Sequence, residues 1–240
     1  VRAGSGGAVA GRLAAAELIS IQGIRRGAAA AIFHGSGARL GADTEEVSMT
    51  IQPVAPLHLL TVAEYLAIGE IEPGYSELAE GRLLMSPTPA PDHNCAGLEL
   101  AVQLRSQLPH GIEVIPDMDV DLQLAPPDAP GTVRRPDLIV VPRDARLRVR
   151  REGGVIRASE VHVIVEVLSP GSKRTDNVLK RSEYADAGIP HYWIVDIEPP
   201  VSLLACHLAG EFGYADSGTV TGTFAATAPF SVEIDLDALL

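Results

Sequence analysis

From residue 61 onward, apolar and polar positions recur with readable periods. "TVAEYLAIGE" predicts a short helix in which Thr61 is the N-cap and Glu64 follows at the spacing of a capping box. "SELAEGRLLMSP" predicts two short strands turning at Glu80-Gly81 and closed by Pro87. In "CAGLELAVQLRSQLP", Leu98, Val102 and Leu108, with Ala101 and Leu104, predict an amphipathic helix. "GIEVIPDMDVDLQL" alternates apolar and acidic positions like a strand, and "PPDAPG" reads as loop. "RRPDLIVVP" and "VHVIVEVLSP" predict two further strands, with a hairpin or loop between them that turns at Gly153-Gly154. "KRTDNVLKRSEYADAG" predicts a helix ended by Gly188 and Pro190, and "HYWIVDIE" another strand. Weaker strand signals follow in "SLLACHL", "TFAAT" and "FSVEIDL". Strands and helices interleave without a strict βα repeat. The expected fold class is therefore α/β of the mixed α+β kind, a mixed β-sheet flanked by helices.

The first 48 residues break this organisation. They are rich in Ala and Gly, contain no methionine and hold no sustained period. Residues 1–48 are expected to be a poorly ordered extension, or upstream sequence read from an unused start, ahead of a single domain over 49–240.

Composition narrows the function classes. With 46% hydrophobic and 21% charged residues the chain reads as an ordinary globular protein, and no run approaches the roughly 18 apolar residues of a membrane span. Arg12, Glu17, Arg25 and Arg26 interrupt the N-terminal apolar stretches, so no secretory leader is read and a cytoplasmic location is expected. Cys95 and Cys206 lie far apart without metal-ligand spacing. The net charge of −12 argues against tight nonspecific binding to nucleic acid, while leaving room for an acidic metal site on a locally basic surface. No G-x-S-x-G, G-x-x-x-x-G-K-[ST] or G-x-G-x-x-G pattern occurs, so serine-hydrolase, P-loop and Rossmann readings lack support.

Strand parity singles out one carboxylate. In "VHVIVEVL" the residues Val161, Val163, Val165 and Val167 share a face, and His162, Ile164, Glu166 and Leu168 share the other. The valine face is expected to be core and the Glu166 face to open on a cleft. Asp137 stands at the entrance of "PDLIVV", so pairing of the two strands would bring Asp137 and Glu166 to one end. Two carboxylates in a partly dry pocket repel, and a hard divalent cation relieves that repulsion. Mg²⁺ fits this role, with Mn²⁺ as a substitute. Asp176, Lys180 and Tyr184 follow on one helical stripe, as a site lysine beside the metal or as an ordinary solvated ion-pair face.

The blocks "YSELAEGRLLMSPTPAPDHN", "RRPDLIVVP" and "VIVEVLSPGSKRTDNVLKRSEYADAGIPHYWIVD" resemble, in order, the Uma-type restriction endonuclease family of the PD-(D/E)XK nuclease superfamily, common in bacteria. The similarity covers residues 61–196. It implies a restriction-endonuclease-like fold and a metal-dependent endonuclease that hydrolyses phosphodiester bonds of DNA. It further implies Asp137, Glu166, Lys180 and Glu77 as catalytic residues, with Asp137, Glu166 and Glu77 as the metal ligands. Leu168 stands where the motif lysine is usual, and Lys180 stands where families of this kind place its replacement.

The remaining residues of note have plainer readings beside functional ones. His93 adjoins a Pro-rich turn and reads as an exposed loop histidine that could approach the site. Tyr192 and Trp193 read as packing residues. Arg143, Arg146, Arg148, Arg150 and Arg151 form the basic cluster, either beside the cleft and facing phosphates or on a solvated hairpin. DNA is the expected substrate partner, and a homodimer is compatible with the chain. The alternative function is a catalytically degenerate module of the same fold that binds nucleic acid or a protein.

Overall fold

A capping box starts the described fold. The Thr61 hydroxyl accepts from the Glu64 amide (3.2 Å) and the Glu64 carboxylate accepts from the Thr61 amide (2.8 Å), so helix α1 (Val62–Ile68) begins where the sequence predicts. The computed structural model describes residues 58–69, 75–86, 88–168 and 175–240, without the side chains of 175–177 and 211. The expectation for residues 1–48, the closing Pro87 and the Asp176 side chain lie outside the described residues. All described residues belong to one unit within Pro53–Leu240.

Strands β1 (Tyr75–Ala79) and β2 (Arg82–Ser86) form the expected hairpin, turning through Glu80 (φ 48°) and Gly81 (φ 77°). A side chain at Gly81 would meet Leu59 Cβ at 2.8 Å and Leu60 N at 2.9 Å, because the Leu60 amide donates to the Gly81 carbonyl (2.8 Å). This close approach locks the register that presents Glu77. Helix α2 (Pro91–Gln107) leads to β3 (Ile112–Pro116), and Asp117, at φ 49°, breaks the predicted continuous strand before β4 (Val120–Asp121). Then come β5 (Val133–Arg134), β6 (Leu138–Pro142), α3 (Arg143–Glu152), β7 (Ile156–Arg157) and β8 (Val163–Leu168). A wide π-type turn, Thr175–Lys180, runs into α4 (Arg181–Asp186). Strands β9 (His191–Asp196), β10 (Ser202–Leu208), β11 (Tyr214–Thr221), β12 (Thr223–Ala226) and β13 (Val232–Asp235) complete the chain.

The central sheet has the order β11-β10-β9-β8-β6-β3 and is mixed: β6 and β8 are antiparallel, β8 and β9 parallel. A second sheet runs β2-β1-β5-β4-β7, and β12 and β13 form a separate ribbon. Both faces of the central strands are buried. On one, Val163, Val165 and Val167 pack with Leu100 and Leu104 of α2 and with Ile234 of β13. On the other, Ile164 and Leu168 pack with Tyr184, Ile189 and Tyr192.

Three expectations need correction. The Glu166 face of β8 is a second core layer rather than an open wall, because α4 and β4 cover it. The stretch between β6 and β8 is mainly the helix α3; its Arg, Leu and Ala favour helix, and Gly153 ends it at φ 77° with its amide on the Val149 carbonyl (2.8 Å). In α2 the buried stripe is His93, Ala96, Leu100 and Leu104, whereas Leu98 is 68% and Val102 55% exposed. Strand β11 carried no pattern signal, since most of its positions are exposed at the sheet edge. Among the described residues no helix is long and apolar enough to cross a membrane.

Candidate active site

The β6–β8 register sets the site. Leu138 lies opposite Val165, so Asp137 and Glu166, one position further along each strand, stand side by side at one end of the antiparallel pair. Glu166 is 4% exposed and would be costly there without partners. Its Oε1 accepts from the Lys180 ammonium at 2.9 Å and from the Tyr184 hydroxyl at 2.7 Å. Lys180 and Tyr184 are one helical turn apart, so a single stripe delivers both donors. Tyr184 is held in turn by an edge contact with Tyr192, ring centroids 5.2 Å apart. Burial pushes the Tyr184 hydroxyl well above its ordinary pKa, and the Glu166 charge adds to this, so it remains a donor.

Leu168 is buried on the same face as Glu166, within the second core layer. A lysine stem at 168 would displace that apolar packing. The ammonium comes instead from the end of the turn before α4.

Glu77 approaches the same lysine from the second sheet. Its Oε1 lies 3.6 Å from Lys180 Nζ and accepts from the Arg135 amide (3.0 Å), while Oε2 accepts from Arg134 (3.0 Å). Arg134, whose side chain is 3% exposed, also grips Glu183 of α4 through Nε and Nη2 at 2.7 and 2.6 Å. Burial works against the Arg134 charge, but Glu183 and Glu77 more than offset it and hold its pKa above the usual guanidinium value. Arg134 therefore ties the second sheet to α4, the helix that Lys180 directly precedes.

Asp137 is held differently. Its Oδ2 accepts from the Val167 amide at 2.6 Å and lies 3.3 Å from His93 Nε2, which also contacts the Val167 carbonyl at 2.9 Å. Val167, the residue after Glu166, is thus held at both its N–H and its C=O. The hydrogen bond to Asp137 raises the His93 pKa against the opposing effect of burial, and His93 Nδ1 is buried without a hydrogen-bond partner. Asp117 donates its amide to the Asp137 carbonyl (3.1 Å). Although solvent-exposed, its carboxyl is pushed up first by desolvation from its neighbours and then by the Asp137 charge.

The structure thus gathers Glu166, Lys180 and Glu77 into one buried network and sets Asp137 on the adjoining strand end. Sequence reasoning missed Arg134, Glu183 and Asp117, and read His93 as an exposed loop residue. The spacing of His93 to Ala96, Leu100 and Leu104 on a buried helical stripe was the signal for the last. The arginine cluster follows the opposite end of β6 from Asp137: Arg146 donates to Glu113 and Arg148 to Glu160.

Among the described residues no group of three His, Cys, Asp or Glu side chains gathers closely enough to hold a metal ion. Two carboxylates from neighbouring strand ends nevertheless fit Mg²⁺, which is commonly bound through one or two carboxylates and otherwise by water and substrate. Both Glu77 oxygens are engaged by Arg134 and the Arg135 amide, Glu166 Oε1 by Lys180 and Tyr184, and Asp137 Oδ2 by the Val167 amide.

The mixed sheet between helices is a nuclease-type fold of the restriction-endonuclease-like class, and at one strand end it carries two acids beside a lysine. A crystal structure of a "putative nuclease belonging to DUF820" from Anabaena variabilis ATCC 29413 is similar in fold, with a TM-score of 0.55 at 18% identity over 75% of this chain and 97% of that one. The family model Uma2, described as "Putative restriction endonuclease", matches residues 62–224, and the chain belongs to that family. No curated protein matches it.

Proposed function

We propose that the protein is a divalent-metal-dependent endonuclease that hydrolyses phosphodiester bonds of DNA. The buried contact between Lys180 and Glu166, at the strand end shared with Asp137, carries this reading. It supplies the cation that Leu168 cannot. Family membership and the fold support the nuclease class.

In this reading Asp137 and Glu166 hold Mg²⁺, or Mn²⁺ in its place, and Glu77 adds negative charge that orients Lys180. When bound, the ion supplies Lewis-acid polarisation of the phosphate and lowers the pKa of an attacking water. Lys180 positions that water and offsets the charge developing on the phosphoryl oxygens. Tyr184 keeps Glu166 Oε1 oriented, while the Val167 amide and His93 keep Asp137 in place.

Cleavage of supercoiled plasmid and single-stranded DNA, with Mg²⁺, Mn²⁺ or EDTA, tests the proposal. Metal-dependent cutting that disappears in Asp137→Ala is expected. No cutting by the wild type with either metal, or undiminished cutting by Asp137→Ala, overturns it.

A second reading, a degenerate module that keeps the fold without turnover, is favoured by one observation: no three-ligand metal group exists among the described residues. Calorimetry with Mg²⁺ separates the two. A working site binds the ion and Asp137→Ala weakens binding, whereas a degenerate site shows no heat.

A further inference from the structure

A pocket of about 540 Å³ lies where the C-terminal end of α2, the edge strand β3 and the start of α3 meet. Asp137 precedes β6 and Arg143 follows it, so the pocket sits about 20 Å along that strand from the site acids. Arg105, His110, Arg143 and Arg146 line it around the single carboxylate of Glu113. Arg146 holds that carboxylate bidentately (2.5 and 3.0 Å), and Arg143 approaches it at 3.6 Å. Two guanidinium groups therefore share one carboxylate and a third, Arg105, lines the same pocket, in a chain whose net charge is −12.

The local backbone adds to the imbalance. Helix α3 has no side-chain N-cap, and its first residue is the cation Arg143. A cation at the positive end of a helix dipole is unfavourable, and Asp144, the acid of that first turn, does not line the pocket. Arg105 occupies the last turn of α2, where it complements that helix's dipole, and it makes no ion pair among the described residues. Exposed guanidiniums converging on a concave surface with excess positive charge match the geometry of a tetrahedral oxyanion.

We infer that this pocket binds a phosphate group, either of a free phosphate ester or of a nucleic-acid backbone. In its nucleic-acid form the inference rests on the nuclease reading: a duplex seated at Asp137 and Glu166 would be held at a second point by these arginines. In its free-phosphate form it stands alone.

Binding is measured in EDTA, with inorganic phosphate by calorimetry and with a fluorescein-labelled DNA duplex by anisotropy across a salt series. Arg105→Ala/Arg143→Ala is expected to weaken binding at least tenfold and to reduce the slope of log K against log salt by about 2, roughly one per phosphate-contacting cation. Arg150→Ala, an exposed arginine of α3 outside the pocket, controls for net charge and is expected to change binding less than twofold. Loss on both probes supports the site; loss only on the duplex assigns the phosphate to the polymer, and loss only with inorganic phosphate assigns it to a free ester. Wild-type binding of both probes by the double variant, or equal weakening by Arg150→Ala, overturns it. Plasmid cleavage by Asp137→Ala is read separately, so either claim can fall while the other stands.

Discussion

Two ion-pair systems flank β6, built from the same residue types in different surroundings. At one end Arg134 and Lys180 are buried among Glu77, Glu166 and Glu183; at the other, Arg146 and Arg143 hold Glu113 within reach of solvent. In the buried system desolvation is paid by several short hydrogen bonds per charge, so each partner depends on the others. In the exposed system water can replace a lost partner. The buried network makes one geometry obligatory, which a reacting site needs, while the exposed one leaves arginines available to a ligand.

The sharpest way to break this contrast is Arg134→Ala. It strands two buried or half-buried carboxylates, and a loss of about 3–5 kcal/mol in urea denaturation is expected. A loss near that of an exposed pair would mean that water already reaches the network.

Removing the other buried cation separates stability from chemistry. Lys180→Met leaves Glu166 bonded to the Tyr184 hydroxyl and retains an apolar stem of similar length. We expect a folded protein by circular dichroism with cleavage reduced about 10²–10³-fold, the range for removing one group that stabilises transition-state charge. Full activity in Lys180→Met would remove Lys180 from the mechanism.

His93→Ala tests the clamp on Val167. It leaves the Val167 carbonyl without its side-chain donor, and about 1–3 kcal/mol of stability should be lost. Because the folded His93 pKa is raised above 6.5, its contribution is complete below that value and declines as pH rises through the folded pKa. The stability gap between wild type and His93→Ala, measured in EDTA, should therefore narrow with rising pH, and a gap that widens contradicts the assignment.

The smallest effect is expected in the exposed system. Arg146→Ala should cost far less stability than Arg134→Ala and lose much of that cost in high salt. Arg146 holds the Glu113 carboxyl below its ordinary value of 4.5. Its contribution is present above that value and fades as pH falls through the lower folded pKa. Acid titrations of the wild type and Arg146→Ala should converge below pH 4.5, once Glu113 is protonated in both.

Much of this arrangement was legible along the chain because its causes are local. Thr61 and Glu64 meet within one helical turn, Glu80-Gly81 reverses a chain between two strands, and Asp137 and Glu166 take their positions from strand parity. The stripe of Lys180 and Tyr184 also follows from helical period alone. Both faces of β8 are apolar apart from Glu166 and His162, yet no single-strand pattern says how many layers will cover it. Likewise the α2 stripe was misassigned because several sets of apolar residues fit one helical face, and only the partner surface chooses among them.

What the sequence by itself determined, then, is which residues are able to meet: carboxylates at strand ends, a lysine one turn from a tyrosine, arginines on a short segment. Tertiary structure alone decided that Glu166 lies in a core layer, that Arg134 joins the second sheet to α4, that His93 reaches Asp137, and that arginines from two helices surround Glu113. The physical reason is distance along the chain. Side-chain periods govern neighbours a few residues apart, whereas burial, desolvation and long-range ion pairing depend on elements that only packing brings together.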